Sequence, residues 1–297
     1  MSLETEMLKI SNKYDFLAVK IPKKTYKNLY IGIDEAGRGP VLGYMNYCAF
    51  LTENIDDLKG RGLKDSKQLS EKTRENILKD LENNENLGFA IYCMNPKTLS
   101  ANMNNGVSLN TLAYFCIEKI LERILEEVGE IFSLKLDALG NCDKLVNFVK
   151  LRFKNKIKNV IAESKADDKY LEVSAASVVA KVSRDMLLKN FYSKNSQNDE
   201  ISIKGYVEKN ILKVNEILDV HYKKNSYDKK FKLDLNFNSG YTSDPITVSW
   251  LKRNFNKITG FPDIVRFSWE TSKKFFRRKN SKVKENTIRG FDFISFN

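Results

Sequence analysis

Short apolar runs alternate with stretches in which apolar residues recur every three or four positions, so the chain predicts strands and helices in alternation. The predicted strands are Leu29–Ile33, Tyr44–Leu51, Phe89–Met94, Ile131–Leu136 and a further one that includes Val160 and Ile161. The predicted helices are Ser70–Leu81, which Ser70 caps, Val107–Val128, Asn141–Phe153, Val173–Phe191 and Thr247–Asn256. Because a hairpin-like link joins the first two strands and helices separate the later ones, we expect an α/β fold with a mixed sheet flanked by helices.

Composition divides the chain into a core and less regular segments. Residues 1–27 are a lysine-bearing N-terminal lead-in, and residues 28–193 carry the alternating strands and helices. Residues 194–238 are rich in Lys, Asn, Asp and Ser, which predicts an outward-looping insertion, partly helical and partly disordered. Residues 239–272 form a smaller, mainly helical C-terminal region, and residues 273–297 form a basic and aromatic tail. We therefore expect one large domain with an appendage.

Positive charge is in excess, since 50 Lys and Arg face 38 Asp and Glu, which gives a formal net charge of +12. The excess favours a polyanionic partner, above all nucleic acid, although lysine bias on solvated surfaces is an equal alternative. No apolar run approaches the ~20 residues that span a bilayer, and no secretion signal is recognisable, so we expect a soluble, intracellular protein with no membrane partner. The four cysteines show no CxxC spacing, which argues against a zinc ribbon or a disulfide framework.

The single histidine, His221, lies among lysines and asparagines of the predicted insertion. Catalytic systems of the Ser-His-Asp or Cys-His type need a histidine on a rigid, buried scaffold, so they are not expected here. The chemistry then falls to carboxylates, which favour a hard metal ion.

Several predicted strands run out at acidic residues. The first ends in the adjacent carboxylates Asp34 and Glu35, a later one ends at Asp137, and the last runs out near Asp167 and Asp168. One acid at a strand end is most often a cap or a turn, but acids on neighbouring strands would form an anionic cluster that needs divalent cations. Mg²⁺ prefers such oxygen ligands, and a pair of ions activates water and stabilises a leaving oxygen without any histidine.

The first acidic segment carries the motif Asp34-Glu35-Ala36-Gly37-Arg38-Gly39-Pro40. With this motif the chain resembles the catalytic subunit of type 2 ribonuclease H, the ribonuclease HII family, from about residue 28 to residue 272. The later blocks follow in the same order: Asp65-Ser66-Lys67, Leu136-Asp137-Ala138-Leu139-Gly140, Lys165-Ala166-Asp167, Ser174-Ala175-Ala176-Ser177, Ala180-Lys181, Gly240-Tyr241, Asp244-Pro245, Trp250-Leu251 and Gly260-Phe261-Pro262 to Val265-Arg266-Phe267-Ser268-Trp269.

The resemblance implies a ribonuclease H-like fold, with residues 28–193 as the catalytic core and residues 239–272 as a substrate-recognition region. It also implies a set of residues that are both catalytic and metal ligands: Asp34, Glu35, Asp137 and Asp167. The implied cofactor is Mg²⁺, with Mn²⁺ as a substitute. Asp168 is then a bystander.

The activity implied by the resemblance is that of an endoribonuclease acting by two-metal-ion catalysis. Such an enzyme hydrolyses the RNA strand of RNA/DNA hybrids and cuts 5′ of single ribonucleotides in duplex DNA, leaving 5′-phosphate and 3′-hydroxyl ends. The backbone of Gly37, Arg38 and Gly39, together with Tyr241, is implied to recognise the ribose 2′-hydroxyl at an RNA-to-DNA junction. Two alternatives stay open: a catalytically inactive hybrid-binding or scaffold protein of the same fold, and a nucleotide enzyme on the glycine-rich loop, which lacks the GxxxxGK[ST] spacing.

Four further residues are candidates for contacts with substrate phosphates. Ser66 and Lys67 precede the helix that Ser70 caps, and a capping turn is an equal alternative for them. Lys181 and Arg184 are three positions apart on one predicted helix and therefore share a face, which is otherwise a solvated surface.

The block Val265–Trp269 looks more like the eukaryotic branch of the family than the single-chain branch. That branch implies a complex with two accessory protein subunits and a location in the nucleus. In the tail, Phe291, Phe293 and Phe296 are either a docking peptide or a terminus that packs on its own domain.

The two adjacent acids pose a geometric difficulty, because successive side chains of a strand point to opposite faces. Asp34 and Glu35 cannot both reach one cluster from a regular strand. We therefore expect the strand to break or bend at Glu35, with Gly37 permitting the change.

Overall fold

One mixed sheet and the helices around it make up the part of the chain that this computed structural model describes, residues 7, 15–63, 69–138, 140–193, 237–256 and 260–277. The strands are β1 Phe16–Lys20, β2 Tyr30–Ala36, β3 Met45–Thr52, β4 Gly88–Met94, β5 Ile131–Asp137 and β6 Ile157–Glu163. The helices are α1 Glu71–Asn83, α2 Pro96–Asn104, α3 Leu109–Val128, α4 Cys142–Arg152, α5 Ala166–Lys169, α6 Leu171–Ser193, α7 Pro245–Asn254 and α8 Glu270–Arg277. The expected fold class is confirmed.

Most of the predicted insertion, residues 194–236, and the tail from residue 278 onward lie outside the described residues. The segment boundaries proposed for those regions therefore stay predictions. Across the segments that are described, no helix combines the length and the apolar character needed to cross a bilayer.

The sheet runs in the order β1-β4-β3-β2-β5-β6. Strands β1, β4, β3 and β2 pair antiparallel, as the hairpin-like link between β2 and β3 predicts. Strands β2, β5 and β6 pair parallel. Since parallel neighbours bring their carboxyl ends to the same edge, the ends of these three strands lie side by side.

Alternating side chains of the sheet feed one hydrophobic cluster on each face. Ile31 and Ile33 of β2 belong to the cluster that packs against α3, whereas Cys48 and Phe50 of β3 belong to the cluster that packs against α6. Helix α3 matches its predicted periodicity and is capped by Ser108, whose Oγ accepts a hydrogen bond from the Thr111 amide at 3.0 Å. The sheet is thus covered on both faces.

A third hydrophobic cluster joins the C-terminal region to the link between β2 and β3. Val41 and Leu42 of that link are fully buried against Trp250, Ile264 and Val265. Backbone hydrogen bonds support the contact, because the Gly43 amide donates to Ile264 O at 2.9 Å and the Arg266 amide donates to Val41 O at 2.9 Å. The C-terminal region therefore packs directly beside the motif that follows β2.

Helix α6 approaches β2 most closely at Gly32. A Cβ atom on Gly32 would lie 2.2 Å from the carbonyl carbon of Glu172 and 2.3 Å from the Val173 nitrogen, so any side chain would push the start of α6 away from the sheet. The absence of a side chain at this position sets the distance between α6 and the strand that carries Asp34.

We expect Gly32→Ala to lower the free energy of unfolding by about 1–3 kcal/mol, the usual cost of overpacking. Because Asp34 lies two residues further on the same strand, catalytic activity should fall as well. Gly129→Ala is the control: its φ of +76° is strained for alanine, but a Cβ would meet nothing within 4 Å, so activity should be unchanged. Denaturant unfolding and an activity assay measure both effects, and equal activity losses in the two variants would contradict this account.

The segment before β1 is fixed by the Asp15 carboxylate, which accepts hydrogen bonds from the Asn95 amide at 2.8 Å and the Tyr92 hydroxyl at 3.1 Å. Burial raises the pKa of Asp15 to about 7, and these hydrogen bonds only partly oppose that rise. The pKa in the folded state thus exceeds the unfolded value of about 4. Asp15 therefore stabilises the fold at low pH and loses this contribution as the pH rises from about 4 through about 7.

Asp15→Asn should flatten the decline of folding stability between pH 5 and pH 8, since an amide does not ionise. The variant should be more stable than the wild type at pH 8 and no more stable at pH 5. Urea unfolding at several pH values provides the measurement. An unchanged pH profile would show that Asp15 does not carry this dependence.

Candidate active site

Asp34 and Asp137 end neighbouring parallel strands. The register of β2 with β5 pairs Ile33 with Leu136, so the next residue of each strand is one of these two acids. The Asp137 Oδ1 atom accepts a hydrogen bond from the Ala166 amide at 2.8 Å, which ties it to the short helix α5 that carries Asp167. The predicted meeting of strand-end acids at one edge of the sheet is therefore observed for these three residues.

Asp34 is almost completely buried on the face of the sheet that α6 covers. Burial raises its pKa to about 7, and the nearby charge of Asp137 adds to this rise, while hydrogen bonding by Ser177 and the charge of Lys181 oppose it. The Lys181 ammonium donates to Ser177 Oγ at 2.5 Å, so a short chain of polar groups leads from Lys181 through Ser177 to Asp34. These two α6 residues lie one helical turn apart, which places both beside the carboxyl group.

Glu35 points to the other face of the sheet. Its Oε2 atom accepts a hydrogen bond from the Tyr47 hydroxyl and lies 3.9 Å from Arg38 Nη1. Burial raises the pKa of Glu35, while Tyr47 and Arg38 lower it and Asp137 raises it further. The Arg38 guanidinium in turn donates to Asn110 Oδ1 at 2.5 Å.

The expected break at Glu35 is wrong. Strand β2 pairs regularly with β3 through Ala36, with Glu35 opposite Tyr47, and the first positive φ comes only at Gly37, at +82°. The reason is the cross-strand partner, because the hydrogen bond from Tyr47 holds the Glu35 carboxylate on the α3 face. The two adjacent acids therefore occupy opposite faces of a regular strand end.

A hard divalent cation fits the chemistry of these donors. Asp34 is a nearly buried carboxyl group beside a second carboxylate, an arrangement that a cation would stabilise. Within the described ranges, no group of three Asp, Glu, His or Cys side chains is gathered around one possible metal position. The candidate ligands therefore fit in kind and in place, and their side chains would have to turn toward the ion.

The glycine loop Gly37–Gly39 and Tyr241 lie together, although the long predicted insertion separates them in the sequence. A Cβ on Gly39 would be 3.3 Å from Tyr241 Cε1, and the Tyr241 side chain is 43% exposed. The loop that carries Tyr241 is fixed by Asp244, which caps α7 through the Ile246 amide at 2.9 Å and accepts from Ser239 Oγ at 2.6 Å. The two elements implied to recognise ribose thus form one exposed notch.

The other predicted contacts have different surroundings. Arg184 is buried, and its guanidinium donates to Ser239 O and to Asp185 Oδ1, each at 3.0 Å, so it is directed at the protein itself. Asp168 is exposed while Asp167 is buried, as expected for a bystander. Ser66 and Lys67 lie outside the described residues.

Sequence reasoning assigned no role to Ser177, Tyr47, Arg266 or Trp269. The spacing of Ser177 and Lys181 was an available signal, because residues four apart on a helix share a face. Tyr47 contacts Glu35 across two strands, and Arg266 contacts a loop more than 220 residues away, so neither has a local signal.

Comparisons with known proteins agree with this geometry. A family model described as Ribonuclease HII matches residues 31–223. The A subunit of ribonuclease H2 from Dictyostelium discoideum is 33% identical over 83% of this chain and 77% of that protein, and its counterpart in Arabidopsis thaliana is 34% identical over 81% and 71%. The crystal structure of ribonuclease H2 from Pyrococcus horikoshii OT3 is 29% identical, with a TM-score of 0.63 over 85% of this chain and 99% of that one. The chain therefore belongs to the ribonuclease HII family and is a ribonuclease H hydrolase.

Proposed function

We propose that this ribonuclease H is an endonuclease that hydrolyses the RNA strand of RNA/DNA hybrids and cuts 5′ of single ribonucleotides embedded in duplex DNA. The observation that carries the proposal is the position of the exposed notch formed by Gly39 and Tyr241, which directly follows the strand end with Asp34. A sugar held in this notch has its phosphate near the acids at the same edge of the sheet. Recognition of the sugar and hydrolysis of the backbone are then carried out by adjoining groups.

The acids Asp34, Asp137 and Asp167 would hold Mg²⁺, or Mn²⁺ in its place, and Glu35 would join them by turning away from Tyr47. When bound, two such ions activate the attacking water and stabilise the leaving oxygen, which gives 5′-phosphate and 3′-hydroxyl ends. The protein's own contribution is to keep the carboxylates in place. Ser177 holds Asp34, and the Ala166 amide holds Asp137.

Lys181 is the basic residue that the structure places beside Asp34 through Ser177. Its ammonium group offers three donors and is well suited to a substrate phosphate near the acids. Ser66 and Lys67 stay proposed phosphate contacts on the resemblance alone. For Arg184 we propose a structural role in holding the loop that carries Tyr241, in place of the expected phosphate contact.

The ribose 2′-hydroxyl is both a donor and an acceptor, so backbone amides of the glycine loop and the Tyr241 phenol together can distinguish RNA from DNA. Relatives that are named as one lettered subunit of ribonuclease H2 support accessory protein subunits for this chain, and we propose two, with action in the nucleus.

Asp34→Asn and Asp137→Asn should each lower cleavage of duplex DNA containing one ribonucleotide by at least about a hundredfold, because each removes a charged metal ligand. Asp168→Asn is the matched control, since Asp168 is an exposed acid next to Asp167 and should leave the rate unchanged. The assay compares the substrate with its all-DNA twin, in Mg²⁺ and in a chelator. Cleavage by Asp34→Asn at the wild-type rate would exclude it as a ligand, and hybrid binding without any cleavage would favour the inactive scaffold.

Tyr241→Phe should reduce kcat/KM on a single embedded ribonucleotide by roughly tenfold, because the variant keeps the ring beside Gly39 and loses only the phenol hydroxyl. Tyr114→Phe serves as the control, since Tyr114 stacks on Phe148 in a different part of the protein. Steady-state kinetics on the same duplex gives both values. Equal effects of the two substitutions would mean that the Tyr241 hydroxyl does not contact the substrate.

A further inference from the structure

Arg266 is a fully buried arginine that contacts the backbone of the glycine loop. Its guanidinium donates to the carbonyl oxygens of Gly37 at 2.5 Å, Arg38 at 3.2 Å, Gly43 at 2.8 Å and Tyr44 at 2.8 Å. No carboxylate of the described segments forms an ion pair with it, so its binding capacity is spent on main-chain carbonyls. Burial and the charge of Arg184 lower the pKa of Arg266 to about 9, which leaves it charged at neutral pH.

Trp269 completes the set of contacts. Its indole Nε1 donates to Gly39 O at 3.0 Å, and its ring lies 4.8 Å from the Arg266 guanidinium carbon, so each side chain supports the other. Two side chains of one segment therefore hold the carbonyls of all three loop residues, Gly37, Arg38 and Gly39.

Holding these carbonyls fixes the direction of the neighbouring amides. The described peptide bonds are all trans, and in a trans peptide the C=O of one residue and the N–H of the next point in opposite directions. With the Gly37 and Arg38 carbonyls turned toward Arg266, the amides of Arg38 and Gly39 face the other way. Neither amide donates a hydrogen bond to any residue that the structure describes. The residue after Gly39 is Pro40, which has no amide hydrogen to place.

We propose that Arg266, with Trp269, is the positioning device for sugar selectivity: it turns the Arg38 and Gly39 amides outward so that they can donate to the ribose 2′-oxygen beside Tyr241. The inference rests on the proposed recognition of ribose by this loop and adds the residue that sets its geometry. A lysine cannot substitute, because its three donors radiate from one atom and cannot follow carbonyls that are spread along a loop.

The test uses Arg266→Lys, which keeps the charge, and Trp269→Phe, which keeps a stacked ring and loses one hydrogen bond. Arg277→Lys is the control, since Arg277 is exposed and pairs only with Glu270 on its own helix in the described part of the chain. The full chain, with any accessory proteins that copurify, is titrated with a duplex containing one ribonucleotide and with its all-DNA twin, with Ca²⁺ in place of Mg²⁺. The measured quantity is the ratio of the two Kd values, because a general folding defect weakens both duplexes alike and leaves the ratio unchanged.

The wild type and Arg277→Lys should prefer the ribonucleotide duplex, and the ratio should fall roughly tenfold in Arg266→Lys and less in Trp269→Phe. If the wild type shows the preference and both variants keep it, the role of Arg266 is overturned while the proposed function stands. If the wild type neither prefers nor cleaves the ribonucleotide duplex, the proposed function itself fails, and this inference fails with it.

Discussion

Parallel pairing of β2 with β5 is the constraint on which the candidate site depends. It places Asp34 and Asp137 at the same level of one sheet edge, where burial and mutual charge raise the pKa of Asp34 to about 7. Two carboxyl groups in this position destabilise an ion-free protein at neutral pH, and a divalent cation removes that cost. The close approach of α6 at Gly32 and the hydrogen bond from Ser177 keep Asp34 in its strained electrostatic position.

The regular elements could be predicted because their signals are local. Helix α3 follows from apolar residues at helical spacing, and the strand ends follow from apolar runs that stop at acids. Helix α2 was missed, since its nine residues carry no long periodic pattern, and α5 is a single turn. The site acids were found because a strand that runs into carboxylates is an unusual local pattern.

The errors and omissions arose where a distant partner decides the outcome. Strand β2 was expected to bend at Glu35, but the cross-strand Tyr47 keeps it regular and holds the carboxylate on the α3 face. Helical spacing correctly put Lys181 and Arg184 near each other but could not show that the Ser239 loop covers Arg184. The contact of Arg266 with Gly37 spans 229 residues and has no trace in local sequence.

That separation has a consequence for synthesis. All the candidate catalytic acids have left the ribosome once residue 167 is made, and their supporting helix is complete at Ser193. The glycine loop acquires its carbonyl partners only when Arg266 and Trp269 follow. A nascent or prematurely terminated chain would thus contain the hydrolytic groups before it could discriminate between sugars. Fidelity in this protein is a property of the finished polypeptide, and the order of the chain makes it the last feature to mature.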